Sequence, residues 1–249
     1  MENIIEVQNL SVSYGNREIL KDVSFQIKKG EIFLICGGSG CGKSTLLRQL
    51  IGLEQPQSGS IIVNGTNFLK CNDKERKEIL TSFGVLFQSS GLFASMTLAE
   101  NMRLLLDSYT HLSDGDKDTM IEMKLNAVGL GGYGDFYPSE ISGGMKKRAA
   151  LARAITLDPD ILFFDEPASG LDPLTSASLD NLIVDINRGL GTTMVIVSHD
   201  LASILNIAER IIMLDRSIKG ILAEGTPEQL RNYKDNQLVY NFFNRIAGD

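Results

Sequence analysis

The stretch "GGSGCGKST", residues 37–45, constrains this chain more than any other feature. It follows "EIFLIC", a run apolar enough to be a buried strand, and leads into a segment with helical character from Lys43 to Ile51. Glycines at 37, 38, 40 and 42 let successive backbone N–H groups turn toward one point. The following helix adds the positive end of its dipole. Gly37, Gly42, Lys43 and Ser44 satisfy the G-x-x-x-x-G-K-[ST] spacing of a phosphate loop. The expected phosphate-binding residues are therefore Gly37, Gly38, Ser39, Gly40, Cys41, Gly42, Lys43, Ser44 and Thr45. Lys43 is expected to bridge the β- and γ-phosphates of ATP, and Ser44 to offer its hydroxyl to Mg²⁺.

Upstream, "IIEVQNLSVSY" and "DVSFQI" alternate apolar and polar residues, as amphipathic antiparallel strands do, with Gly15 and Gly30 as boundaries. Downstream, "GSIIVNG" predicts a strand closed by a turn at Asn64-Gly65, and "FGVLFQ" a core strand ending at Gln88. A mainly helical stretch from Thr97 to Val128 is expected to be interrupted by the acidic "SDGDKD". From Ser142 the pattern is helix, "DILFFDEP" strand, helix from Leu174 to Arg188, "TTMVIVSHD" strand, and helix. "RIIMLDRSIKGILAEG" then reads as a hairpin before two short helices. Alternating strands and helices predict a parallel sheet wrapped by helices.

Several polar residues stand where predicted core strands end, the edge at which such sheets bind ligands. "ILFFDEP" delivers Asp165 as a second anchor for Mg²⁺ and its waters, and Glu166 as a group able to polarise a water in line with the γ-phosphate. An isolated "DE" would be read as a helix cap, but the buried strand and the phosphate loop reverse that preference. Gln88 is placed to contact Mg²⁺ or the attacking water, and His199 to hydrogen-bond the γ-phosphate. Alone, either would be a turn residue. Tyr14 precedes Gly15 and could stack on adenine, although a sheet-edge tyrosine fits equally well. "ISGGM" opens a second helix with glycines, and one phosphate chain has no use for two such starts from one subunit. Ser142, Gly143 and Gly144 make sense aimed at another subunit's nucleotide.

The chain has 249 residues, of which 43% are hydrophobic, enough for a sizeable core. A net charge of -7 argues against a nucleic-acid binder, and Lys146, Lys147 and Arg148 form the sole dense basic cluster. Cys36, Cys41 and Cys71 match neither a disulfide framework nor a zinc spacing, so a reducing cytoplasm is expected. No signal peptide or membrane-spanning run is legible in the sequence, which leaves any membrane role to a partner.

"GGSGCGKST", Gln88, "ISGGM", "ILFFDEP", "SGLDP" and "VSHD" occur in the order, and with roughly the spacing, of the ATP-binding cassette ATPases, and the resemblance covers residues 4 to 230. It implies a single domain over 1–249 of the phosphate-loop α/β class. Its parts would be a RecA-like core sheet, an antiparallel β subdomain, a helical subdomain over about 90–158 and a tail over about 226–249. It also implies a head-to-tail homodimer that traps two ATP molecules, each between one copy's phosphate loop and the other's "SGG" turn. Under it Ser142 and Gly144 touch the partner's γ-phosphate, Asp172 crosses the dimer seam, and Tyr14 stacks on adenine. Gln88 becomes the lid-loop glutamine and His199 the switch histidine. Ile141 and Met145 depart from the usual L-S-G-G-Q; the methionine removes an amide near the nucleotide.

"SGGM" with "RAALARAI", and "LFQSSGLFASMTLAENM", further resemble the ATPases of MCE/Mla-type bacterial phospholipid transport systems. That branch implies a peripheral subunit on the cytoplasmic face of the inner membrane. Its partners would be an integral membrane permease, an MCE-domain lipid carrier and a small accessory protein. Phe87, Leu92, Phe93 and Met96 are then candidates for a groove that takes a permease helix, or else plain core. Leu238, Tyr240, Phe242 and Phe243 of the tail are expected either to dock on a partner or to pack on their own domain. The alternatives are an ATPase of another importer or exporter, such as one for amino acids, a soluble cassette protein without a permease, and a phosphoryl-transfer kinase.

Overall fold

The computed structural model describes residues 2–246, so the extreme ends of the expected 1–249 domain and 226–249 tail lie outside the described residues. In chain order the first half contains β1 (Asn3–Tyr14), β2 (Arg17–Lys28), β3 (Ile32–Gly37), α1 (Lys43–Leu50), β4 (Ser58–Val63), β5 (Thr66–Asn67), α2 (Asp73–Thr81), β6 (Phe83–Leu86), α3 (Leu98–Tyr109) and α4 (Asp114–Ala127). The second half contains α5 (Gly143–Ala154), β7 (Ile161–Asp165), α6 (Pro173–Leu190), β8 (Thr193–Val197), α7 (Leu201–Ile207), β9 (Arg210–Asp215), β10 (Gly220–Gly225), α8 (Pro227–Arg231) and α9 (Gln237–Asn244). These elements divide into two compact units, residues 1–79 with 193–249, and residues 80–192.

In the first unit β2, β1, β4 and β5 form an antiparallel sheet in that order. Alternation along β1 and β2 buries Ile5, Val7, Leu10, Phe25 and Ile27 and leaves the intervening polar residues outside. The turn from β4 to β5 is made by Asn64 (φ 47°) and Gly65 (φ 78°), the left-handed pair that a two-residue hairpin requires. The second sheet of this unit runs β10, β9, β3, β8. Its β9–β3 and β3–β8 pairs are parallel and its β9–β10 pair is the expected antiparallel hairpin. Every residue of β3 and β8 is buried, which is why their sequences are continuous apolar runs. Arg210 stacks on Phe33 with its guanidinium carbon 4.8 Å from the ring centroid, and its Nη2 donates to Glu31 at 2.6 Å, tying β9 to the start of β3.

In the second unit β6 and β7 pair in parallel, with Phe83 against Ile161 and Leu86 against Phe164. Gly84 is required there by close approach, because a Cβ would lie 2.3 Å from the carbonyl oxygen of Ala154. Thr97 and Glu100 form a capping box at the start of α3, and Asn101, 1% exposed, donates from its amide to the carbonyls of Phe93, Met96 and Thr97.

Three local expectations change. The "SDGDKD" interruption is confined to its first residue or so, because Ser113 caps α4 and Asp114 and Asp116 sit in its first turn, where acidic side chains favour the helix dipole. The strand of "FGVLFQ" stops at Leu86, which leaves Gln88 in the loop beyond it. Finally, α2 has no counterpart in the predicted pattern. It buries Ile79 alone and so lacks an apolar period, yet Asn72 and Glu75 cap it reciprocally, each side chain accepting the other's backbone N–H at 3.0 Å. No helix among the described residues is long and apolar enough to cross a membrane.

Candidate functional site

The phosphate loop follows directly from β3. Gly37 sits at φ 138°, and a Cβ there would lie 2.2 Å from the carbonyl oxygen of Leu214 on the neighbouring β9. No side chain fits. Gly42 (φ 106°) is the N-cap of α1 and packs under Leu20, 2.8 Å from where its Cβ would be. No side chain caps α1, which leaves its first-turn N–H groups to a ligand. Gly38 and Gly40 face open space. Lys43 folds back, its Nζ donating to the carbonyls of Gly37 at 2.9 Å and Gly38 at 3.1 Å. Ser39 and Ser44 are exposed and Thr45 is half-buried, whereas Cys41 is buried, which pushes its thiol pKa up.

Other predicted residues of this unit take definite places. Tyr14 ends β1, 47% exposed, with its hydroxyl donating to the carboxylate of Glu54. Its ring is thus available for stacking while the hydroxyl is held. His199 is exposed just beyond β8, next to Asp200, whose carboxylate caps α7 through Ala202 N at 3.0 Å. A cleft of 360 Å³ beside Gly40 is lined by Asn16, by Arg17, Glu18 and Ile19 at the start of β2, and by Arg216 and Lys219 from the β9–β10 turn, where Lys219 Nζ pairs with the Glu18 carboxylate at 2.9 Å. With Lys219 paired to Glu18, Arg17 and Arg216 are the cleft's remaining cations, and together they suit an anion. Arg216 and Lys219 escape sequence reasoning because only the hairpin return of β10 brings positions 216–219 to that edge.

The second unit carries the remaining predicted residues. Asp165 ends buried β7 half-buried, and Glu166 follows at φ 50°, a left-handed conformation that a glutamate holds only when its surroundings impose it. Gln88 is exposed, and its amide donates to the hydroxyl of Ser169 at 3.1 Å. Ser142 caps α5 by accepting Met145 N at 3.3 Å. Ser142 and Gly143 are exposed, while Ile141 anchors the turn at 7% exposure. Gly144 is needed for packing, since a Cβ would lie 2.7 Å from the Thr175 methyl. Asp172 caps α6, accepting Leu174 N at 3.0 Å and Thr175 N at 3.1 Å. The Thr175 hydroxyl and these amides hold its carboxyl below the usual range.

The basic cluster is not a surface patch. Lys147 is 5% exposed, and Arg148 donates to the carbonyl of Val128 at 2.9 Å and to Ser178 Oγ at 2.8 Å. Of the four groove candidates, Phe87 and Phe93 line a cleft of 510 Å³ together with Phe83, Leu104, Tyr109 and Arg153, whereas Leu92 and Met96 lie outside that lining. In the tail Phe243 is 1% exposed and Val239 fully buried, so α9 packs within its own unit and leaves Leu238, 49% exposed, on its outer side.

Residues 20–169 match the family model described as ABC transporter. The intermembrane phospholipid transport system ATP-binding protein MlaF of Haemophilus influenzae is 41% identical over 239 residues, covering 96% of this chain and 89% of that protein. MlaF of Escherichia coli K12 is 39% identical over 245 residues, 98% of this chain and 90% of that protein. The probable ribonucleotide transport ATP-binding protein mkl of Mycobacterium leprae is 43% identical over 240 residues, 96% of this chain but 68% of that protein. Among solved structures, a dimeric ATP-binding cassette in a post-hydrolysis state with ADP and Pi matches at 29% identity and a TM-score of 0.80, over 89% of this chain and 98% of that one. CbiO1 of Clostridium perfringens, part of an ABC transporter complex, matches at 26% identity and a TM-score of 0.85, over 94% and 93%. With its phosphate loop, acidic strand end and glycine-opened helix in the order of such cassettes, and with relatives this similar over nearly its whole length, the chain belongs to the ABC transporter family.

Proposed function

We propose that the chain is the ATP-hydrolysing subunit of a membrane transport system that moves phospholipid. What carries the hydrolytic half is the phosphate loop, with Gly37 and Gly42 in backbone conformations no other residue fits and a helix start that no side chain caps. ATP would lie with its phosphates against residues 37–45, Lys43 turning from its own loop carbonyls to the β- and γ-oxygens, and adenine on Tyr14.

The resemblance would assign a divalent ion to the hydroxyl of Ser44, the carboxylate of Asp165 and the amide oxygen of Gln88. Hard oxygen donors of this kind, few enough to leave room for water, fit Mg²⁺. Bound there, the ion would neutralise charge on the transferred phosphoryl group. Glu166 would orient and polarise the attacking water and His199 would hydrogen-bond the γ-phosphate. The exposed Ser142–Gly144 turn would close over the nucleotide of a second copy. Asp172 would lie at that seam, beside Leu174, which is 85% exposed and gains from being covered.

The cargo rests on likeness. Relatives named for phospholipid transport, 39–41% identical, are covered by this chain over 89–90% of their length, and those named for ribonucleotide transport, 43% identical, over 66–68%; the fuller coverage favours phospholipid. The expected partners are an integral permease seated on the Phe87–Phe93 cleft, an MCE-domain lipid carrier and a small accessory protein, at the cytoplasmic face of the inner membrane. Purification of tagged chain from detergent-solubilised membranes, followed by ATPase assays of the complex with and without added phospholipid, tests this reading. A permease should co-purify and phospholipid should change the rate. Stimulation by ribonucleotides alone would favour the second cargo.

A further inference from the structure

The helix that starts at the exposed Ser142–Gly144 turn grips the Gln88 loop at both ends. Lys147 Nζ donates to the carbonyl of Gln88 at 2.5 Å, and Arg153 Nη1 donates to the carbonyl of Gly91 at 2.5 Å. The two cations stand six residues apart on α5, about 9 Å along its axis. The segment between the two carbonyls is a tight turn, with Ser90 at φ 66° and Gly91 at φ 63° and Ser90 N donating to the carbonyl of Phe87 at 2.9 Å. Ser90 is buried. A buried ammonium held by a main-chain carbonyl is a strong tether, because breaking it strands a charge.

The Gln88 side chain is held separately, through Ser169 Oγ at 3.1 Å. Its amide can leave the serine while its main chain stays fixed to α5. Burial pushes the pKa of the Lys147 ammonium down, and the charges of Asp165 and Glu166 partly oppose that shift.

We propose that Lys147 and Arg153 are positioning residues for ATP hydrolysis: by holding the carbonyls of Gln88 and Gly91 they make the glutamine loop move as one body with the helix that begins at Ser142. Engagement of that turn by a second copy's nucleotide would thereby set where Gln88 stands, and the same movement would reach the Phe93 side of the apolar cleft, which Arg153 also lines. Neither cation touches nucleotide in this scheme. The inference rests on the hydrolytic reading above.

The test compares wild type, Lys147→Met, Lys147→Arg and Arg153→Met in two measurements: amide hydrogen exchange without nucleotide, and steady-state ATP hydrolysis. Lys147→Met should exchange about tenfold faster at residues 88–91, with α6 unchanged, and lose about tenfold or more in kcat with KM within about twofold. Lys147→Arg should return both quantities to within about threefold of wild type, and Arg153→Met should shift both in the same direction as Lys147→Met. Wild-type exchange at 88–91 in both methionine variants overturns the clamp. Faster exchange with unchanged kcat overturns the positioning role. Should Lys147→Met not fold, Lys147→Gln and Arg153→Met carry the same comparison. A wild-type protein that hydrolyses no ATP defeats the hydrolytic reading, and exchange alone then decides whether the clamp exists.

Discussion

Lys43 Nζ lies 2.9 Å from the carbonyl oxygen of Gly37, so the loop's own cation is held by the loop until a phosphate competes for it. Its second acceptor, the carbonyl of Gly38 at 3.1 Å, is equally local. Neither bond joins distant parts of the chain. Lys43→Ala should therefore leave the unfolding midpoint nearly unchanged, since half-exposed hydrogen bonds of this type are worth about 1 kcal/mol at most. The same substitution should weaken ATP binding by about 10–100-fold, because a charge-assisted contact to phosphate is lost. Thermal unfolding beside a fluorescent-nucleotide titration separates the two effects.

The phosphate loop was legible because its function is written in residue types that have one structural use. Gly37 and Gly42 occupy backbone conformations that side chains reject, and β3, like β7 as far as Phe164, reads as an apolar run because its residues are buried. Lys147 and Arg153 were not legible. In a linear reading a buried cation and a solvated one look alike, and only the pairing of β6 with β7 and the packing of α5 bring the carbonyls of Gln88 and Gly91 within their reach. The cations of the β9–β10 turn were hidden for a related reason, since a hairpin's destination is not encoded in its own turn. Helix α2 was missed because its signal lay in the Asn72–Glu75 cap and not in an apolar period.

Glycine substitutions should separate conformational need from steric need. Gly37→Ala places a methyl 2.2 Å from the Leu214 carbonyl at φ 138°, so β3 and β9 would have to part. A loss of about 3 kcal/mol or more, or failure to fold, is expected. Gly40 faces open space at φ 72°, and Gly40→Ala should cost about 1 kcal/mol of strain alone. Urea unfolding of the two variants gives the comparison, and equal losses would contradict the close approach at Gly37.

Glu166 should matter to turnover and not to binding. It follows β7 in a left-handed conformation beside half-buried Asp165, and its proposed task is to orient water. Glu166→Gln keeps the shape and removes the base. The variant should retain ATP affinity within about threefold and lose about 10²–10⁴-fold in kcat, the range expected for a general base. Single-turnover assays with radiolabelled ATP resolve the chemical step from product release.

Asp172 should contribute to the protein's acid sensitivity. The Thr175 hydroxyl, the Thr175 amide and the Leu174 amide stabilise its charged form, so its folded pKa lies below its unfolded one. That stabilisation is present above the unfolded pKa of about 4 and is lost as pH falls through the depressed folded value. Asp172→Asn keeps a side-chain acceptor for the α6 cap but does not titrate. Wild type should therefore lose its advantage over Asp172→Asn between pH 5 and the acid limit of folding, at about those values. Chemical denaturation of both proteins across that range measures the difference, and parallel curves would remove Asp172 from the acid response.

Concentration should control the enzyme as strongly as any residue. If Ser142 and Gly144 serve the nucleotide of a second copy, a lone chain binds ATP at its phosphate loop but lacks the group that completes the site. The exposure of Ser142 and Gly143, and of Leu174 next to the Asp172 cap, fits a surface that is covered only in the pair. Specific activity should then rise with protein concentration until the dimer saturates, the rate growing about as the square of concentration in the dilute limit. Ser142→Arg should abolish that rise while ATP still binds the monomer, because a bulky cation at the turn blocks closure and leaves the phosphate loop alone. Dilution series of the isolated chain, read by phosphate release and by light scattering in parallel, follow activity and association together. Specific activity that stays constant down to concentrations where scattering reports only monomer would place the whole reaction centre in one copy.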